Sequence, residues 1–218
     1  MIMPTDSQLI IFDWDGTLMD SVARIVACMQ AAASECKWPV PSEQAVHDII
    51  GLSLRMAVPR LFGERTGPAV DAFIDSYREH YIHRCQVDSP LFAGVREVLE
   101  QLHVRGYRLA VATGKARAGL NRVLAETGLA ALFVDTITAD EARSKPDPLM
   151  LQYLLDRQQL RADQAIMIGD SEHDMAMAAA IAMPRIGITW GVHDAPRLQQ
   201  FAPLAVIDDL QSLLQWLP

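Results

Sequence analysis

Asp13 and Asp15, one residue apart, follow directly on the apolar run Leu9–Phe12 and precede Gly16 and the hydroxyl residue Thr17. Carboxylates so paired can hold a cation, attack an electrophile or carry a proton. Three more stretches join apolar runs to polar residues in the same way: Thr113-Gly114-Lys115, Ser144-Lys145-Pro146-Asp147, and Gly169-Asp170-Ser171-Glu172-His173-Asp174. If the four junctions share one edge of a sheet, Asp13, Asp15, Asp170 and Asp174 are expected within a few Å of one another. Two carboxylates about 4 Å apart repel by about 4 kcal/mol at an effective dielectric of about 20, so the cluster calls for a cation. Oxygen ligands alone suit Mg2+, which is usually held by one or two carboxylates together with a substrate phosphate. Lys145, one of only three lysines beside Lys37 and Lys115, adds a point charge for that phosphate, and Thr113 adds a hydroxyl donor.

These residues need elements that deliver them to one edge. A strand buried on both faces reads as an unbroken apolar run, and ligands of open α/β sheets bind beyond the carboxyl ends of the strands. Apolar runs predict strands at 9–12, 108–113, 134–138, 165–169, 185–189 and 204–207, with helical spacing between them from residue 90 onward. This alternation implies an α/β fold, a Rossmann-like doubly wound parallel sheet in three layers. Between residue 19 and about 89 only helical spacing occurs. It begins with Val22, Ile25, Val26, Met29, Ala32 and Ala33, after Asp20 and Ser21 as cap residues, and Pro39 and Pro41 are expected to stop this first helix. The expectation is an all-helical domain at 19–89 inserted into a core of 1–18 and 90–218.

The order of these motifs resembles the haloacid dehalogenase-like superfamily, in its branch with a helical cap after the first strand, and within it the phosphoglycolate phosphatases. Asp13-x-Asp15-Gly16-Thr17 is similar to that family's first motif, Thr113 to its second, Lys145 to its third, and Gly169-Asp170 with Asp174 to its fourth. The resemblance implies a magnesium-dependent phosphatase acting on a small phosphorylated metabolite. Asp13 would attack phosphorus to form an aspartyl-phosphate, and Asp15 would act as acid and then base. Thr113, Gly114 and Lys145 would hold the phosphoryl oxygens. Mg2+ would lie on Asp13, Asp170 and the carbonyl of Asp15, with Asp174 as a further ligand or as the partner of Lys145. The acid at Asp15 favours phosphate esters over carbon–halogen or phosphonate substrates. The rivals are a phosphosugar mutase of the β-phosphoglucomutase type and a catalytically silent binding protein on the same fold.

In the inserted segment, Gly51-Leu52-Ser53-Leu54-Arg55 is expected to face the site, with Arg55 set against an anionic part of the substrate. Lys115 reads either as a substrate contact or as a solvated helix start. His80 and His83 lack further ligands, His47 reads as structural and His173 as a neighbour of the site. Asp147 reads as a first-turn acid, and Met19, Met29 and Met56 as core filler. With 19 Lys+Arg against 27 Asp+Glu the net charge is -8, and no basic stripe is present to track nucleic acid. Cys28, Cys36 and Cys85 form no ligand pair. No leading charged segment or membrane-length apolar run occurs. The expectation is a cytoplasmic protein whose oligomeric state the sequence leaves open.

Overall fold

A computed structural model describes residues 8–63 and 65–217. Residues 1–7, on which the expectation of no targeting segment rests, lie outside it. Six parallel strands form one sheet in the order β3-β2-β1-β4-β5-β6: β1 Leu9–Phe12, β2 Arg108–Thr113, β3 Phe133–Thr138, β4 Ala165–Gly169, β5 Arg185–Ile188 and β6 Ala205–Ile207. β1 leads to β2 and β3 on one side and β4 to β5 and β6 on the other, so the switch point lies between β1 and β4. Phe12 is in register with Val111 on one side and Ile168 on the other. Residues 13, 113 and 170 therefore leave the sheet at nearly the same level.

The central strands are apolar throughout because both faces are covered. Ile10, Phe12, Leu109, Val111, Ile166 and Ile168 pack one way, into a layer with Val98, Leu102, Leu120 and Leu213. Leu9, Ile11, Ala110, Ala112 and Met167 alternate to the other face, against Met150, Leu154 and Met177. This period-two alternation is the pleat itself.

The helices in chain order are α1 Val22–Glu35, α2 Glu43–His47, α3 Leu54–Phe62, α4 Pro68–Glu79, α5 Val95–Val104, α6 Arg117–Thr127, α7 Leu149–Gln158, α8 Glu172–Ala179, α9 Ala195–Gln199 and α10 Leu213–Trp216. α1 to α4, prolonged by a π-helical turn at His80–Arg84, hold their own apolar cluster, which includes Ile25, Met29, Val46, Phe73 and Tyr77. The segments entering and leaving this helical body run side by side. Asp20 N donates to Pro90 O at 2.8 Å and Phe92 N to Leu18 O at 3.0 Å.

Three local expectations are corrected. α1 ends at Glu35, with Lys37 at φ 56°, before Pro39 and Pro41 could act. Ser21 precedes α1 but does not cap it, because its hydroxyl is turned to Asp15. Met56 is 55% exposed on α3 and is not core, unlike Met19 and Met29. Among the described residues, no helix is long and apolar enough to cross a membrane.

Candidate active site

Asp13 leaves β1 with its N–H donated to Ile168 O at 3.0 Å, which ties the loop to the neighbouring strand. Its carboxylate is buried and meets those of Asp170 and Asp174, with one oxygen from each lying within 4.8 Å of the others. Lys145 Nζ lies 2.7 Å from Asp13 Oδ1 and 2.6 Å from Asp174 Oδ1. The contact to Asp13 is an ion pair without the angles of a hydrogen bond, and Asp13 Oδ2 has no hydrogen-bond partner among the described residues.

The other two acids are held more fully. Asp170 accepts from Thr17 Oγ1 at 2.7 Å and from Val192 N at 2.9 Å. Asp174 and Ser171 form a reciprocal capping box at the start of α8, with Ser171 Oγ donating to Asp174 Oδ2 at 2.6 Å. Both oxygens of Asp174 are thus engaged, one with Ser171 and one with Lys145. Backbone fits closely around these groups. Gly16 has φ +78°, and a Cβ there would stand 2.2 Å from Asp170 Oδ2, so no other residue is accommodated.

The electrostatics follow from burial. Desolvation pushes the Asp13 carboxyl well above the usual range; Lys145 pulls it down, while Asp174 and Asp170 push it further up. Asp170 is raised by the same two causes, burial and then Asp174. Burial acts to lower the Lys145 ammonium, but Asp13 and Asp174 outweigh it and the net shift is upward. Three carboxylates against one ammonium leave the pocket short of positive charge. An all-oxygen donor set, with one buried and unpartnered carboxylate oxygen, fits a hard divalent cation such as Mg2+.

Asp15 does not join this cluster, contrary to the expected meeting of all four acids. Its Oδ1 accepts from Ser21 Oγ at 2.6 Å and lies 2.8 Å from Lys115 Nζ. Lys115 is therefore no solvated helix start. It also reaches Tyr81 Oη of the helical body at 3.4 Å, and its pKa is raised because Asp15 and Tyr81 outweigh burial. Thr113 ends β2 fully buried, accepting from Lys115 N at 3.2 Å. Asp13, Asp15, Thr113, Gly114 and Lys115 all line one cavity of about 730 Å³ between sheet edge and helical body.

The 51–55 segment closes over this edge. A Cβ on Gly114 would lie 2.5 Å from Gly51 O and 2.7 Å from Leu52 O, and Ser53 N donates to Ser144 Oγ at 2.8 Å. Arg55 lines the cavity but is largely exposed and pairs with Asp71 at 2.8 Å. Asp147 accepts from Leu149 N before α7 and stands outside the acidic cluster. His173 touches the helical body, its Nε2 donating to Asp48 O at 3.1 Å. His80 is paired with Glu35 at 2.7 Å. The Cys28 thiol is buried and its pKa is pushed up to about 12 by burial and then by Cys85.

Sequence reasoning missed Ser21 as the partner of Asp15, Ser144 as the anchor of the 51–55 segment, and Ser171. Only Ser171 carried a readable signal, the Ser171-x-x-Asp174 spacing of a capping box.

The family described as haloacid dehalogenase-like hydrolase matches residues 10–188 of this chain. A phosphoglycolate phosphatase of Vibrio cholerae serotype O1 is 34% identical, over 95% of this chain and 96% of that protein. The phosphoglycolate phosphatase of Rhodospirillum rubrum is 32% identical, over 96% and 90%. The crystal structure of a predicted phosphoglycolate phosphatase from Haemophilus somnus 129PT is similar with a TM-score of 0.85 and 28% identity, covering 97% of this chain and 98% of that one.

Proposed function

From the premise that this chain belongs to the haloacid dehalogenase-like hydrolases, we propose that it is a magnesium-dependent phosphomonoesterase working through an aspartyl-phosphate on Asp13. The observation that carries the reading is the position of Asp13. Its buried Oδ2 is unpartnered, it stands beside Lys145 and Asp170 at the switch point of the sheet, and it opens on the same cavity as Asp15. The names of the relatives, phosphoglycolate phosphatases, support a phosphate monoester as substrate.

In this reading Asp13 Oδ2 attacks phosphorus and the ester oxygen leaves with a proton from Asp15. Asp15 then takes a proton from the water that attacks the aspartyl-phosphate, which returns free Asp13 and releases inorganic phosphate. Ser21 and Lys115 aim the Asp15 carboxylate at the leaving group. Lys145, Thr113 and the backbone N–H of Gly114 hold the phosphoryl oxygens, where charge develops. Mg2+ would be held by Asp13, Asp170 and the carbonyl of Asp15, and would supply charge that offsets repulsion between Asp13 and a phosphate dianion. With both its oxygens engaged, Asp174 serves as the partner that positions Lys145.

We assign the helical body, residues 19–89, the part of a cap that excludes water over the site. Release of phosphate from p-nitrophenyl phosphate, measured with Mg2+ and with chelator, tests the reading. Release that depends on Mg2+ and is lost in Asp13→Asn is expected. Absence of release with Mg2+ would point to a silent binding protein. Conversion of glucose 1-phosphate to glucose 6-phosphate instead of free phosphate would point to a mutase.

A further inference from the structure

The cavity over Asp13 and Asp15 is large and mostly apolar. Its volume of about 730 Å³ lies within the ~300–1,000 Å³ of pockets that enclose drug-sized ligands. The cap side of its lining includes Ile25, Met29, Ile49 and Ile74, together with Tyr77 and Tyr81, whose ring centroids are 5.8 Å apart. Each of these six side chains is 8% exposed or less, so the wall offers the cavity only a thin apolar edge, which a short charged alcohol such as glycolate would leave uncovered.

Each cation that lines the cavity already has an acid of its own. Lys115 is on Asp15 at 2.8 Å, Arg55 on Asp71 at 2.8 Å, Arg122 on Glu126 at 3.3 Å and Arg78 on Asp75 at 3.5 Å. A substrate carboxylate would have to compete with one of these carboxylates for its partner.

The opposite wall carries an independent sign. Gly119 lies in the first turn of α6 and lines the cavity, in ordinary helical backbone that does not require glycine. A Cβ there would meet nothing within 4 Å, in contrast to Gly114, whose Cβ would strike the cap. Glycine lowers helix stability relative to alanine, and neither packing nor backbone conformation accounts for it at this position. What it preserves is open space on the wall of the cavity that Asp15 also lines.

We propose that the alcohol part of the substrate is a bulky apolar or aromatic group, seated between the Ile74 and Tyr77 wall of the cap and the bare first turn of α6 at Gly119. This inference rests on the phosphomonoesterase reading and deepens it to a substrate class. Gly119 is then a specificity-determining position, whose missing side chain admits the group.

The test compares benzyl phosphate and 2-naphthylmethyl phosphate with 2-phosphoglycolate, all esters of primary alcohols, on the Mg2+-supplemented protein. The apolar esters are expected to have the higher kcat/KM by at least about tenfold, the discrimination that one or two apolar contacts supply. Gly119→Leu is expected to raise KM for 2-naphthylmethyl phosphate by about tenfold while KM for 2-phosphoglycolate changes far less. Calorimetric titration with benzylphosphonate and phosphonoacetate reads the same preference without turnover, and the wild-type comparison stands if the variant misfolds. A preference for 2-phosphoglycolate, or equal losses on both ester types in a folded Gly119→Leu protein, would overturn the inference and leave the phosphatase intact. Failure of all three esters to release phosphate would overturn the reading beneath it.

Discussion

The two acids of the first loop, only one residue apart, serve different neighbours. Asp13 is drawn into a buried ionic cluster with Lys145, whereas Asp15 is held outward by Ser21 and Lys115 toward the cavity. Asp15→Asn keeps the shape but loses the proton, so kcat is expected to fall by roughly 10²- to 10⁴-fold in steady-state assays, the usual size of an acid–base contribution. Full turnover in that variant would contradict the assignment. Lys145 is fully buried between two carboxylates, and its removal leaves both without their cation. Lys145→Met in metal-free protein is expected to lower the unfolding free energy by about 3–5 kcal/mol in urea titrations. A loss below about 1 kcal/mol would mean that the buried pair contributes little beyond its own desolvation.

Between elements, contacts that join the helical body to the sheet layer away from the strand-end loops converge on Asp48. Arg197 Nη1 of α9 lies 2.5 Å from Asp48 Oδ1 and its Nη2 2.5 Å from Glu172 Oε1, while His193 Nδ1 accepts from Glu172 N at 2.8 Å. Burial, and then the Arg197 guanidinium, push the His193 imidazole down from its ordinary 6.5 to about 4. His173, beside it, is lowered chiefly by burial. In the folded state these rings stay neutral where the unfolded chain would bind protons. Stability conferred by the neutral rings is therefore present above about pH 6.5 and is lost as pH falls toward about 4. Thermal unfolding midpoints are expected to decline across that window, and His193→Asn should flatten part of the decline. Superimposable pH curves for the two proteins would refute a role for His193. Little of this was legible in the sequence, because Asp48 and Arg197 are 149 residues apart and no local pattern links them. By contrast, Asp13, Thr113 and Asp170 could be read, since each ends or directly follows an apolar strand run whose burial fixes where it leaves the sheet.

Across the whole molecule, a central parallel strand with neighbours on both sides brings three separate loops to one point, and the helices that follow that strand line the same cavity. The alternation of apolar runs and helical spacing made the sheet and the run of helices between its first two strands readable. The direction of a side chain in a loop was not. Asp15 follows the same strand as Asp13 yet turns to Lys115, a choice made by the fold of residues 15–19 and by Ser21 rather than by spacing. Met56 has helical spacing like Met29 but faces solvent, since periodicity does not say how far an apolar cluster extends. The central claim is that phosphoryl transfer passes through Asp13. Its most direct test is mass spectrometry of the peptide containing Asp13 after acid quench of Asp15→Asn incubated with Mg2+ and p-nitrophenyl phosphate, whose nitrophenolate leaves without the proton that Asp15 supplies to an alcohol. The account predicts one phosphoryl group on Asp13, absent when chelator is added. Phosphate release by the wild-type protein, with Asp13 unmodified in the quenched variant and a phosphoryl group on another residue, would contradict it.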